Sequence, residues 1–179
     1  MKCLTEDECR KEFTSLGIDL EIGARNVATM CGAVPAVASF RTPLLASKQS
    51  ALTNKIFDSY PPECKRWLMW VEAWDPDSTD EYSELWKTIR AYNGERRSPI
   101  EASGYAFDAH ERGLARAFAR LAVLSHWDAV LVSEPVSIVV EFGFDELIEI
   151  VSPWPVAIEA LAVNLERVAE RHWLPRSTL

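Results

Sequence analysis

Apolar spacing and capping signals predict five helices along the chain. Thr5 followed by Glu8 has the form of a capping box, and Gly17 suits the end of that first helix. Elsewhere apolar side chains recur three or four positions apart, which places them on one face of a helix. Together these signals predict helices over residues 5–16, 48–60, 78–93, 108–125 and 153–173.

Shorter apolar runs are typical of β-strands. Residues 66–74, RWLMWVEAW, fit both a helical and a strand spacing, but their short length and the DPDS turn sequence after them favour a strand. The runs at 128–133, 136–142 and 146–152 are separated by turns short enough for hairpins, so they predict an antiparallel meander. In this meander Phe142 and Ile148 are expected to face the core.

Helices followed by antiparallel strands and a final helix predict an α+β domain. We expect two layers, with an antiparallel sheet of three to four strands packed on one face by helices and with a C-terminal helix. Residues 17–46 show no period that persists. The sequence therefore divides into an N-terminal helix with an irregular extension (1–46) and a single α+β domain (47–179).

The charge distribution narrows the range of partners. The net charge is −8, and no Lys or Arg occurs from Leu121 to Glu166. An acidic surface argues against nucleic acid, which needs positive charge, and is compatible with a basic protein partner. The apolar stretch 27–40 is too short to cross a membrane and contains Pro35. The sequence thus predicts a soluble cytoplasmic protein without a membrane partner.

The cysteines and glycines give no sign of a cofactor. The four cysteines Cys3, Cys9, Cys31 and Cys64 form no C-x-x-C pair and have no nearby histidine, so free thiols are expected rather than a zinc site. The sequence contains neither G-x-x-x-x-G-K-[ST] nor G-x-G-x-x-G, the two glycine-rich patterns typical of nucleotide binding. The sequence therefore predicts neither a metal nor another cofactor.

The carboxylates around the last predicted hairpin are the most distinctive polar feature. Asp145 and Glu146 are adjacent, and adjacent residues of a strand point to opposite faces. Glu141 and Glu149 could instead face each other across the hairpin. Three arrangements then remain open: carboxylates that diverge into solvent, a shared metal ion, or a partner's Lys or Arg between them.

Part of the chain resembles a known family. The segments LMWVEAW, LWKTIRAYNG, GYAF, HWDAVLV and FDELIEI, between residues 66 and 150, are similar to a family of small uncharacterised bacterial proteins. The pairs Trp127–Asp128 and Asp145–Glu146 are its most distinctive shared positions. No activity is attached to this family, so the resemblance implies a shared folding pattern and carries no function.

Two hypotheses follow from these patterns. The first is a non-catalytic acidic binding protein, such as an immunity or antitoxin-type inhibitor of a basic protein. Its partner-binding residues would be the carboxylates and two aromatic anchors: Glu141, Asp145, Glu146, Glu149, Phe144 and Trp154. The alternative is a small enzyme with a histidine–carboxylate or metal-dependent site built from His126, Asp128, Glu141 and Glu149.

Overall fold

The computed structural model describes residues 1–20, 28–30, 36–73, 81–143 and 146–172. Its helices are α1 (Glu6–Ser15), α2 (Ala46–Ser59), α3 (Glu81–Tyr92), α4 (Arg112–Leu124) and α5 (Pro155–Leu165), and a short 3-10 helix, Ala109–Glu111, leads into α4. Its strands are β1 (Lys2–Leu4), β2 (Ile18–Leu20), β3 (Ala28–Met30), β4 (Ala36–Arg41), β5 (Arg66–Ala73), β6 (Gly104–Asp108), β7 (Asp128–Glu134), β8 (Val139–Phe142), β9 (Leu147–Ser152) and β10 (Glu170–His172).

Eight of these strands form one antiparallel sheet. Its strand order is β1-β6-β5-β7-β8-β9-β4-β10, and β2 pairs with β3 in a separate two-stranded sheet. The prediction of three to four strands is therefore wrong, although the mixture of helices and strands remains. The reason is physical: β1 has three residues, too few to show an alternation, and β4 lies in a stretch without a persistent period. The helix predicted over 153–173 is also too long, because α5 ends at Leu165 and Glu170–His172 pair with β4 as strand β10.

Central strands are buried on both faces. In β5, Trp67 and Met69 belong to one hydrophobic cluster, whereas Leu68 and Trp70 belong to the other. The larger cluster lies under α2, α4 and α5, and we call that side of the sheet the α2 face. The smaller cluster includes Phe13 of α1, and we call that side the α1 face. Because helices pack on both sides, the predicted two-layer arrangement is also wrong.

The N-terminal residues take part in the same sheet. Strand β1 pairs with β6, and β4 pairs with β9 over six residue pairs. Arg66 of β5 joins α1 to the sheet: its Nη1 donates to Oε2 of Glu12 over 2.8 Å and its Nε donates to Oε2 of Glu134 over 2.5 Å. The first 46 residues thus contribute strands and a helix to the sheet that the rest of the chain builds.

Several local predictions are confirmed. Thr5 and Glu8 form a capping box at the start of α1. Strands β7, β8 and β9 form the predicted antiparallel meander. Phe142 and Ile148 are paired across β8 and β9 and are 3% and 1% exposed in the larger core cluster. These features depend on residues close together in sequence, and for this reason the local pattern was enough to predict them.

The cysteine thiols of the described residues are not activated for reaction. Cys3, Cys9 and Cys64 carry free thiols, and Cys31 lies outside the described residues. Burial raises the pKa of Cys3 to about 11 and that of Cys9 to about 12. Since the thiolate is the reactive form, neither side chain is an activated nucleophile at neutral pH.

Within the described part of the chain, every helix falls short of the length and apolar character that a membrane crossing requires.

Candidate functional site

Two glutamates lie side by side on the α1 face of the sheet. Glu141 of β8 is directly paired with Glu149 of β9, and it is also paired with Val130 of the smaller core cluster. Directly paired side chains point to the same face with their Cβ atoms about 5 Å apart. Both glutamates are partly exposed. The pairing across the hairpin that the sequence allowed is thus present, with both glutamates on the same face of the sheet.

A buried hydroxyl helps to hold one member of this pair. Ser39 of β4 is directly paired with Glu149 and is only 5% exposed. Its hydroxyl oxygen Oγ donates to Oε1 of Glu149 over 3.2 Å. A donor of this kind fixes a carboxylate without neutralising it, so the negative charge of Glu149 remains available to a cation.

Two more carboxylates extend the pair across the sheet. Asp128 begins β7 and precedes Val130 by two positions, so strand alternation places it on the α1 face. Glu72 lies at an irregularity of β5 where the pairing with β7 shifts register. Each of the four carboxylates belongs to a different strand, and we call this set the acidic row: Glu72, Asp128, Glu141 and Glu149.

Burial and neighbouring charges shift the pKa of the Glu72 carboxyl. Burial raises the pKa of its carboxyl, the Asp128 carboxylate raises it further, and the Arg10 guanidinium lowers it. A raised pKa means that the ionised form is less favourable in the folded than in the unfolded chain. The charge on Glu72 therefore costs stability above its folded pKa, and this cost disappears as the pH falls below the unfolded value.

We expect Glu72→Gln to raise the free energy of unfolding at pH 7, since glutamine removes the charge and keeps the shape. The gain should shrink as the pH falls through the raised folded pKa of Glu72, where the native carboxyl takes up its proton, and should vanish below the unfolded pKa. Urea unfolding across this pH range measures the difference. Glu63→Gln, at an exposed acid after α2, is the control and should stay within about 0.5 kcal/mol of the native protein throughout. A Glu72→Gln variant less stable than native at pH 7 would contradict the prediction.

Glu146 occupies a strained position in the hairpin turn. Its φ angle is +64°, in the left-handed region that glycine favours. Its N–H donates to the carbonyl of Gly143 over 3.2 Å, and its carbonyl accepts from the N–H of Thr42 over 2.7 Å. The residue is exposed, so these backbone bonds hold a carboxylate in solvent at the tip of the hairpin. The other predicted turn residues, Phe144 and Asp145, lie outside the described residues.

Trp154 lies at the other end of β9. It is the N-cap residue of α5, and its side chain is 53% exposed. Eight residues separate it from Glu146, which corresponds to about 25 Å along a strand. The structure therefore brings Glu141 and Glu149 together but places Glu146 and Trp154 at opposite ends of the same strand.

His126 has a structural role at the end of α4. Its φ angle is +52°, and the next residue, Trp127, donates its N–H to the carbonyl of Ala122 over 3.0 Å. This bond pattern is that of a Schellman motif, in which the left-handed residue ends a helix. The side chain of His126 is exposed. Helix termination thus explains its position, and the catalytic role considered from the sequence stays a prediction.

One group of side chains has the composition of a metal site. The ligand atoms of Asp108, His110 and Glu111 lie within 4.8 Å of one another. The two acids form a capping box: the Asp108 N–H donates to Oε2 of Glu111 over 3.0 Å, and the Asp108 side chain accepts from the Glu111 backbone. Oε1 of Glu111 also contacts the amino group of Met1. The capping box accounts for the proximity of the two acids without a metal ion.

Sequence reasoning missed two residues of this surface. Ser39 lies in the stretch where no period was found, so its strand and its contact with Glu149 were not predicted. Glu72 had a visible signal, because it is the single acid inside the apolar run of β5. A charged residue in a strand buried on both faces marks a place where one face reaches water.

Comparison of the chain with protein-family models, curated proteins and solved structures found no match. The resemblance to small bacterial proteins over residues 66–150 therefore stays a prediction.

Proposed function

We propose that this protein is a non-catalytic binding protein that takes a basic protein partner on its acidic row, in the manner of an immunity or antitoxin-type inhibitor. The direct pairing of Glu141 with Glu149 carries the proposal. Like charges in paired positions repel each other. Two carboxylates on one face therefore favour a cation near them, and an Arg guanidinium of a partner suits this position because its planar fork offers several N–H donors to carboxylates.

The wider charge distribution supports the same partner class. The protein has a net charge of −8, and the stretch from Leu121 to Glu166, which contains β7, β8, β9 and α5, has no Lys or Arg. Such a field raises the rate at which a basic partner arrives and orients it towards the acidic side. Association should accordingly weaken as salt screens these charges.

Glu146 adds an accessible charge beside the acidic row. A non-glycine residue in the left-handed region costs about 1 kcal/mol or more, and such a cost is often kept where it serves a function. In the proposed complex Glu146 contacts the partner at the rim, together with its chain neighbours Phe144 and Asp145. Trp154 serves as the apolar anchor only for a partner long enough to cover the strand β9.

A charge-reversal experiment tests the proposal. We expect the native protein, immobilised, to capture a basic protein from extracts of its source cells, and we expect Glu146→Lys/Glu149→Lys to lose it, with affinity lowered by about tenfold or more. Isothermal titration with the purified partner at two salt concentrations measures the loss. The matched control is Asp58→Lys/Glu63→Lys, which makes the same change in net charge at exposed positions at and after the end of α2.

Capture should be unchanged in this control, since those acids lie away from the acidic row. A partner retained by the Glu146→Lys/Glu149→Lys variant would show that the hairpin is not the interface. If both double variants lose the partner, binding depends on net charge and not on this surface. That result would also overturn the assignment of the interface.

Glu146→Gly separates folding from binding at one position. We expect the unfolding free energy to rise by up to about 1 kcal/mol, because glycine adopts the left-handed conformation without strain. We expect affinity for the partner to fall at the same time, because the carboxylate is lost. Urea unfolding and titration of the partner measure the two effects independently.

His126→Gly is the control for the backbone effect, since His126 has the same kind of φ angle and ends a helix. It should stabilise the fold by a similar amount and leave partner affinity unchanged. If Glu146→Gly binds the partner as tightly as the native chain, Glu146 has no part in the interface.

A further inference from the structure

We draw no further inference here: the strongest candidate, the outward apolar stripe that Val156, Ala160 and Val163 form on helix α5, carries none because nothing in the described part of the chain shows what covers it.

Discussion

Replacing Arg90 with methionine is expected to lower the free energy of unfolding by about 3–5 kcal/mol. The side chain is only 3% exposed, and its guanidinium lies over the ring of Trp86 with 4.7 Å between Cζ and the ring centroid. Its two terminal nitrogens donate to four oxygens: Ala102 O (2.9 Å), Tyr105 Oη (2.7 Å), Arg97 O (2.9 Å) and Ser98 O (3.0 Å). Arg90 thus ties α3 to the segment that leads into β6.

Methionine fills much of the volume but donates no hydrogen bond. The buried carbonyls then lose a partner, and each such loss costs about 1–3 kcal/mol. A small domain has about 5–15 kcal/mol of stability in total, so the variant approaches the limit of folding. Urea unfolding followed by tryptophan fluorescence measures the change.

Two companion variants keep this prediction open to refutation. Arg90→Lys retains the charge and loses the planar fork, so it should be destabilised by a smaller amount and remain measurable if Arg90→Met does not fold. Arg96→Met changes an exposed arginine of the same segment and should stay within about 0.5 kcal/mol of the native protein. An Arg90→Lys variant as stable as the native protein would refute the proposed role of the fork.

Gly104→Ala is expected to destabilise the protein by about 1–3 kcal/mol through overpacking. Gly104 lies in β6, where α1 crosses the sheet. An added Cβ would lie 2.8 Å from both Cβ and Sγ of Cys9 and 3.0 Å from Cβ of Leu4. Two of these three atoms are Cβ atoms held directly by the backbone, so α1 must move away from the sheet to make room.

Gly113→Ala is the matched control and should have the opposite sign. Gly113 is in the first turn of α4, and an added Cβ there meets no atom within 4 Å. Alanine favours the helix over glycine by about 0.5–1 kcal/mol, so this variant should be more stable than the native protein. Thermal unfolding of both variants gives the comparison; a Gly104→Ala protein as stable as the native one would show that α1 is not tightly packed on β6.

The sequence predicted the elements whose signals are local. The apolar run of β5 and the three runs of β7, β8 and β9 were recognisable because alternation and turn residues lie within a few positions of one another. The capping box of Thr5 and Glu8 was recognisable for the same reason. In each case the residues that determine the structure are near neighbours in the chain, so their pattern can be read without knowing the fold.

The number of strands in the sheet could not be predicted from local patterns. Strand β1 is only three residues long and owes its position to pairing with β6, about a hundred residues later in the chain. Strand β4 is likewise held by β9. The α1 face was missed because the run of β5, read alone, does not reveal that a helix from the N-terminus covers its second side.

In the candidate site, too, contacts within one hairpin were predictable and contacts between distant segments were not. Glu141 and Glu149 were predicted as a possible pair because a short hairpin restricts the register, whereas the hydroxyl of Ser39 reaches Glu149 only through β4. Arg90 was recognisable only as a basic residue late in α3, and its burial depends on the segment from Arg97 to Ala102 folding over it.

By itself, then, the sequence determined where the five α-helices begin, though not that the last of them ends at Leu165. It also determined which central segments are strands and on which stretches the negative charge is concentrated. The tertiary structure alone decided how many strands join the sheet, which helix covers each face, and which groups surround each carboxylate. The physical reason is that periodicity and capping depend on neighbours a few residues away. Pairing of short strands and burial of polar groups depend instead on contacts between residues far apart in the chain.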